Sequence, residues 1–101
     1  MKSDTAVKRV YPASMTISFP NQSRSYDAKH HCVRFWGHDD AREVSFIVEE
    51  DALTQIDRTT PQTEDGFLVA FDGNRDRIFK AARKVYSRRG SGFHALAVAD
   101  F

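Results

Sequence analysis

The stretch "CVRFWGHDDAREVSFIV", Cys32 to Val48, decides the fold. On one side of "HDDA" apolar Val33 and Phe35 alternate with Arg34 and Trp36. On the other side Val44, Phe46 and Val48 alternate with Ser45 and Ile47. Alternation with period two is the signature of a half-buried strand, because successive side chains point to opposite faces. A short polar link between two such runs makes an antiparallel hairpin. The first strand is expected to end at Gly37, with "HDDA" as the connection. Val33, Phe35, Val44, Phe46 and Val48 form the core face. Arg34, Trp36 and Ile47 fall on the outer face.

Upstream, "MTISF" (Met15 to Phe19) alternates in the same way and predicts another strand. "PNQSRSYD" between them reads as a loop, punctuated by Pro20-Asn21. Residues 1–14 are polar, mixed in charge and without an apolar h-region, so they read as a flexible leader rather than a secretory signal. Residues 15–101 read as one domain, as expected for a chain of 101 residues.

Downstream of Val48 the period changes. "EEDALTQI" sets acids ahead of Leu53 and Ile56, which share a helical face; acids in a first turn complement the helix dipole. This predicts a helix over Glu50 to Ile56. Pro61 then disfavours helical geometry at Thr60. From Glu64 to Arg88 the apolar positions Phe67, Leu68, Phe71, Ile78, Phe79, Ala82, Val85 and Tyr86 recur at spacings of three and four. Phe71 and Ile78 keep phase across Gly73, which predicts one continuous helix. A break at "DGN", with a second helix starting at Asn74, is the alternative. Gly90 stops the helix, and "GFHALAVADF" predicts a last strand with His94, Leu96 and Val98 on one side. The order β-β-β-α-α-β implies an α+β fold, an antiparallel four-stranded sheet covered on one face by helices.

Composition excludes several function classes. The formal charge is +1, so no global field draws the chain to nucleic acid or an anionic membrane. One cysteine excludes an intramolecular disulfide and every zinc motif built on paired cysteines. No apolar run approaches the roughly 20 residues that span a bilayer. A cytoplasmic location is expected.

Three candidate sites remain. His30 and Cys32 are two residues apart, and strand alternation places them side by side on the outer face. They could begin a metal site or pair a thiol with a base. A structural zinc needs four ligands and a catalytic one three, and no third partner stands at a recognisable spacing. No cofactor or metal is therefore expected. The second candidate is charge. Between Asp39 and Asp65 there are nine acids against Arg42 and Arg58; between Arg75 and Arg89 seven bases (Arg75, Arg77, Lys80, Arg83, Lys84, Arg88, Arg89) against Asp76. A basic helix face can meet nucleic-acid phosphates, or it can meet the acidic segment within the fold or in a second copy. The third is the outer sheet face with Arg34, Trp36 and Ile47. Trp and Arg are enriched at interface centres, so this face suggests a protein partner or self-association.

The residues Ile17, Phe19, Tyr26-Asp27, Val33, Phe35, Val44, Phe46, Ala52-Leu53, Phe71, Arg75, Ile78, Ala82 and Asp100-Phe101 together give the chain a resemblance. From Met15 to Phe101 it resembles a family of small bacterial proteins, the domain of unknown function family 1488. The resemblance implies a small α+β domain from a bacterial cytoplasm and assigns no reaction, cofactor or catalytic residue. It also implies a helix running through Arg75 without a glycine, from which Gly73 departs. The expected function is a small non-enzymatic interaction or regulatory module, with nucleic-acid binding through residues 75–89 as the alternative and a metal- or cysteine-dependent enzyme behind both.

Overall fold

A computed structural model describes residues 17–89 and 93–101, with the Arg89 side chain left undescribed. The expected leader and the first two residues of "MTISF" lie outside the described residues. The elements are β1 (Ile17–Ser18), β2 (Arg24–Asp27), β3 (Cys32–Asp39), β4 (Arg42–Glu49), α1 (Glu50–Ile56), α2 (Glu64–Gly73), α3 (Arg75–Arg89) and β5 (His94–Leu96), followed by a 3-10 turn over Val98–Asp100.

The class is α+β, but the sheet is mixed and five-stranded. β3 and β4 form the central antiparallel hairpin, with Arg34 opposite Ile47 and Phe35 opposite Phe46. β3 continues past Gly37 to Asp39, and only Asp40 and Ala41 make the turn. Asp40 takes a left-handed φ of 60°, which a short polar side chain tolerates. Gly37 does not end the strand. It faces the core where the chain crosses closely: a Cβ there would lie 2.8 Å from the Phe19 ring and 3.1 Å from the Ser18 carbonyl oxygen.

β1 and β2 lie one after the other along the same edge of β3. The segment expected to be a loop therefore contributes a strand. Its residues "RSYD" lack an apolar alternation, and backbone pairing to the hairpin edge holds it.

β5 pairs with β4 in parallel, Phe46 opposite His94 and Val48 opposite Leu96. The fully antiparallel expectation fails here for a topological reason. Residues 50–89 carry three helices on one side of the sheet, and that crossover brings the chain back to enter beside Phe46 and run in the same direction as β4 to Val48. β5 is also shorter than expected: Val98 belongs to the 3-10 turn and is exposed.

The continuous helix of 64–88 is instead two. Thr63 caps α2 by accepting from Gly66 N–H (3.0 Å). Asn74 then leaves helical geometry at φ −128°, ψ 24°. Its side-chain Nδ2 donates to the Ala70 carbonyl (2.8 Å), and its own carbonyl accepts the Ile78 N–H that opens α3 (3.0 Å). One residue thus closes one helix and starts the next. Phe71 and Ile78 stay buried across the break.

The core lies between the sheet and the helices. Phe35 sits at its centre, with ring centroids 5.2 Å from Phe46 and Phe71, 5.8 Å from Phe79 and 6.0 Å from Phe19. Val33, Val44, Val48, Leu53, Ile78, Val85 and Leu96 complete it.

Candidate functional site

The hairpin register decides what the outer sheet face carries. Arg34 lies directly opposite Ile47, Trp36 opposite Ser45, and Trp36 is diagonal to Ile47. Ser25 of β2 and Ala95 of β5 extend the Arg34–Ile47 row across the whole sheet. All core aromatic rings lie on the opposite face, and no described helix packs on this one. Trp36 and Ile47 are half-buried among their neighbours.

Arg34 is held in place. Its Nε and Nη2 both donate to Asp27 Oδ2, at 3.0 and 2.7 Å. Asp27 also accepts from the His30 backbone N–H (3.1 Å) and stands 2.9 Å from His30 Nδ1. These bonds, His30 first and Arg34 second, hold the Asp27 carboxyl far below the usual carboxylate range. In the sequence Asp27 reads as the end of a loop and as part of the family resemblance, with nothing that pairs it with Arg34. The signal that could have found it is an aspartate three residues before His30, the spacing of a side chain that closes a turn on its own backbone.

The two histidines therefore belong to a turn and not to a strand. β3 begins at Cys32; His30 lies before it and His31 has φ 54°. His30 is bonded to Asp27, and His31 Nδ1 approaches Glu50 Oε2 at 3.6 Å. Cys32 lies between Asp27 and Glu49 in register and is fully buried. Burial raises its thiol pKa, the opposite of what a nucleophile requires. Among the described residues no group of three histidine, cysteine or acidic side chains could hold a metal ion. His30, His31, Ile47, Glu49, Glu50 and Asp51 border only an open depression.

The bases of residues 75–89 divide into distinct sets. Arg75 turns inward: its Nη2 donates to Asp72 Oδ1 (2.7 Å) and to the Gln22 carbonyl (2.9 Å), and its guanidinium lies 5.0 Å from the centre of the Phe71 ring. Arg83 covers the Phe19 ring at 5.3 Å. Arg88 reaches Asp100 at 3.4 Å. Arg77, Lys80 and Lys84 are exposed and make no ion pair with any described residue.

Two tyrosines join strands to helices at the core margins. Tyr26 donates its hydroxyl to Glu50 and stacks on Phe67 at 5.8 Å. That bond, with burial second, pushes the Tyr26 pKa up to about 12. Tyr86 donates to Asp39, and burial followed by that bond raises its pKa too. No helix among the described residues is long and apolar enough to cross a membrane.

The family model described as "Protein of unknown function (DUF1488)" matches residues 17–92, so the chain belongs to that family. No curated protein and no solved structure matches the chain.

Proposed function

We propose that this member of the DUF1488 family is a small interaction module that docks a second copy of itself through its outer sheet face. The observation that carries the reading is the placement of Trp36 and Ile47 diagonally on a face that no described helix covers, beside an Arg34 already immobilised by Asp27. An arginine fixed in advance loses less side-chain freedom on docking than a free one. Trp and Arg at the centre of a patch are the residue types that dominate interface energetics.

The face also suits a twofold. In an isologous contact the same patch meets itself, so a face of one sign would repel its partner. Here the Arg34 charge is already met by Asp27, and Glu43 and Glu49 stand toward the two ends of β4, away from the apolar centre. Two sheets packing face to face leave the helical layers on the outside.

The test is molar mass by light scattering across a concentration series, for the parent and for Trp36→Ala and Ile47→Ala. The expected result is a dimeric parent and variants shifted to the monomer with unchanged far-UV circular dichroism. Trp36 is the sole tryptophan, so its emission should also shift to the blue as the dimer forms. A monomeric parent, or variants of unchanged mass, would refute the reading.

A further inference from the structure

The uneven distribution of charge along the chain need not survive folding. Acids from residues 39–65 could have neutralised the bases of residues 75–89. None of these acids, among the described residues, is ion-paired with Arg77, Lys80 or Lys84. Among the described residues, Asp72 takes Arg24 and Arg75, Asp27 takes Arg34 and His30, and Asp100 takes Arg88. Arg77, Lys80 and Lys84 are left with none.

These three stand at i, i+3 and i+7 of one helix. That spacing aligns them on one face over about 10 Å of helix axis, at 1.5 Å per residue. They border a depression of about 200 Å³ whose other walls are Ala81, Asp100 and Phe101. Asp100 is the one acid in it, and it is engaged twice, accepting from Ala97 N–H (2.8 Å) and facing Arg88. Asp76, in the first turn of α3, pairs with none of the three. Arg88 continues the same line one turn beyond Lys84, and Arg83 flanks it over Phe19.

We infer that the Arg77–Lys80–Lys84 face of α3 is a binding site for the phosphate backbone of double-stranded nucleic acid. The chemistry is that of unpaired cations in a row: each releases a counterion when it meets a phosphate. A duplex fits better than a single strand: Phe79 and Tyr86 of α3 pack into the core, the partly buried Phe101 is the one aromatic wall of the depression, and the exposed Phe93 does not border it, so no row of rings is offered for stacking. Contacts to phosphates alone carry no sequence information, so binding is independent of base sequence. The inference does not rest on the dimer: a sheet-to-sheet contact leaves α3 exposed, and a monomer presents the same face.

Fluorescence anisotropy with labelled duplex DNA and duplex RNA of mixed sequence, from 50 to 200 mM salt, tests it. Three phosphate contacts predict a slope of log K against log salt near −2.7, and so about a 40-fold loss of affinity over that range. Lys80→Ala and Lys84→Ala should each reduce the slope by about 0.9 and weaken all sequences equally. Arg58→Ala, in the α1–α2 connection, should leave both unchanged. Binding by either duplex supports the site, and the one that binds names the source. Absence of binding at about 100 μM protein and 50 mM salt, the weak end of non-specific affinity, would overturn it. So would a slope that the lysine variants leave unmoved while their fold is intact by circular dichroism. Binding to phosphatidylserine vesicles or to inorganic pyrophosphate, with none to either duplex, would overturn it as well.

Discussion

Arg24 and Asp72 meet in a two-pronged ion pair across the body of the domain, Nε to Oδ1 at 3.0 Å and Nη2 to Oδ2 at 2.8 Å. The pair ties the edge strand β2 to the end of α2. Asp72 also receives Arg75, the first residue of α3, whose Nη1 is buried and has no described hydrogen-bond partner. One carboxylate therefore joins three elements.

Replacing Asp72 by Asn should destabilise the domain by about 1 kcal/mol, the upper end for a half-exposed pair, because Arg75 loses its counter-charge. Bonds from Arg24 first, and from Arg75, hold the folded Asp72 carboxyl below its ordinary pKa. The stabilisation is present above the unfolded value of about 3.9 and is lost as the pH falls through the folded value. Urea denaturation at pH 7 and at pH 3 checks both parts. The variant should differ from the parent at pH 7, and the difference should be smaller at pH 3.

Alkaline titration should report the two tyrosine clamps. Their folded pKa values are raised, so the stability they contribute is full below the unfolded value of about 10 and is lost as the pH rises through the folded value. For Tyr26 that value is about 12. Absorbance of phenolate against pH should show Tyr26 ionising near that value in the folded protein. In Tyr26→Phe the late phenolate signal should fall by one tyrosine, leaving the contribution of Tyr86. A single transition at the ordinary value in the parent would contradict the Glu50 bond.

Two glycines should respond to alanine in opposite directions. At Gly66 an added Cβ would lie 2.2 Å from the Pro61 carbonyl oxygen, a backbone atom that cannot swing aside. At Gly73 it would meet nothing within 4 Å. Gly73→Ala should stabilise by about 0.5–1 kcal/mol through helix propensity and a less flexible unfolded chain. Gly66→Ala should lower the thermal midpoint. Calorimetry of both variants decides it, and equal effects would contradict the packing of α2 against Pro61.

Phe35 touches four other aromatic rings and is 1% exposed. Phe35→Ala should cost about 3–5 kcal/mol by transfer and cavity terms together. In a domain of this size that is a large part of the about 5–15 kcal/mol available. Chemical denaturation, or a failure to recover folded protein, would register it. A loss under 1 kcal/mol would mean that the core refills.

Local pattern carried much of this structure. Period-two alternation located β3 and β4 and divided Val33 and Phe35 from Arg34 and Trp36. Acids ahead of Leu53 bounded α1 at Glu50 and Ile56. What escaped was set by contacts distant in sequence. β2 is a strand through backbone pairing, not composition. The parallel direction of β5 follows from the crossover as a whole. The side-by-side reading of His30 and Cys32 carried strand parity two residues too far, into a turn that Asp27 closes. The hold of Asp27 on Arg34, and of Asp72 on Arg75, required knowing which elements meet. The interruption at Asn74 was legible as an alternative, since Gly73-Asn74 is a breaker pair that hydrophobic phase alone overlooks.

The parallel seat of β5 on β4 also sets an order of assembly. The β3–β4 hairpin joins neighbours in sequence and can form within microseconds, whereas β5 closes a gap of nearly half the chain and must wait for the helices. Until then the β4 edge at Phe46 and Val48 is a bare row of hydrogen-bonding groups beside apolar side chains, the template on which chains aggregate. Refolding at rising protein concentration should therefore lose yield before it loses rate. Pulse-labelled hydrogen exchange should find the β5 amides of His94 to Leu96 protected last; protection there as early as in β3 would reverse the order.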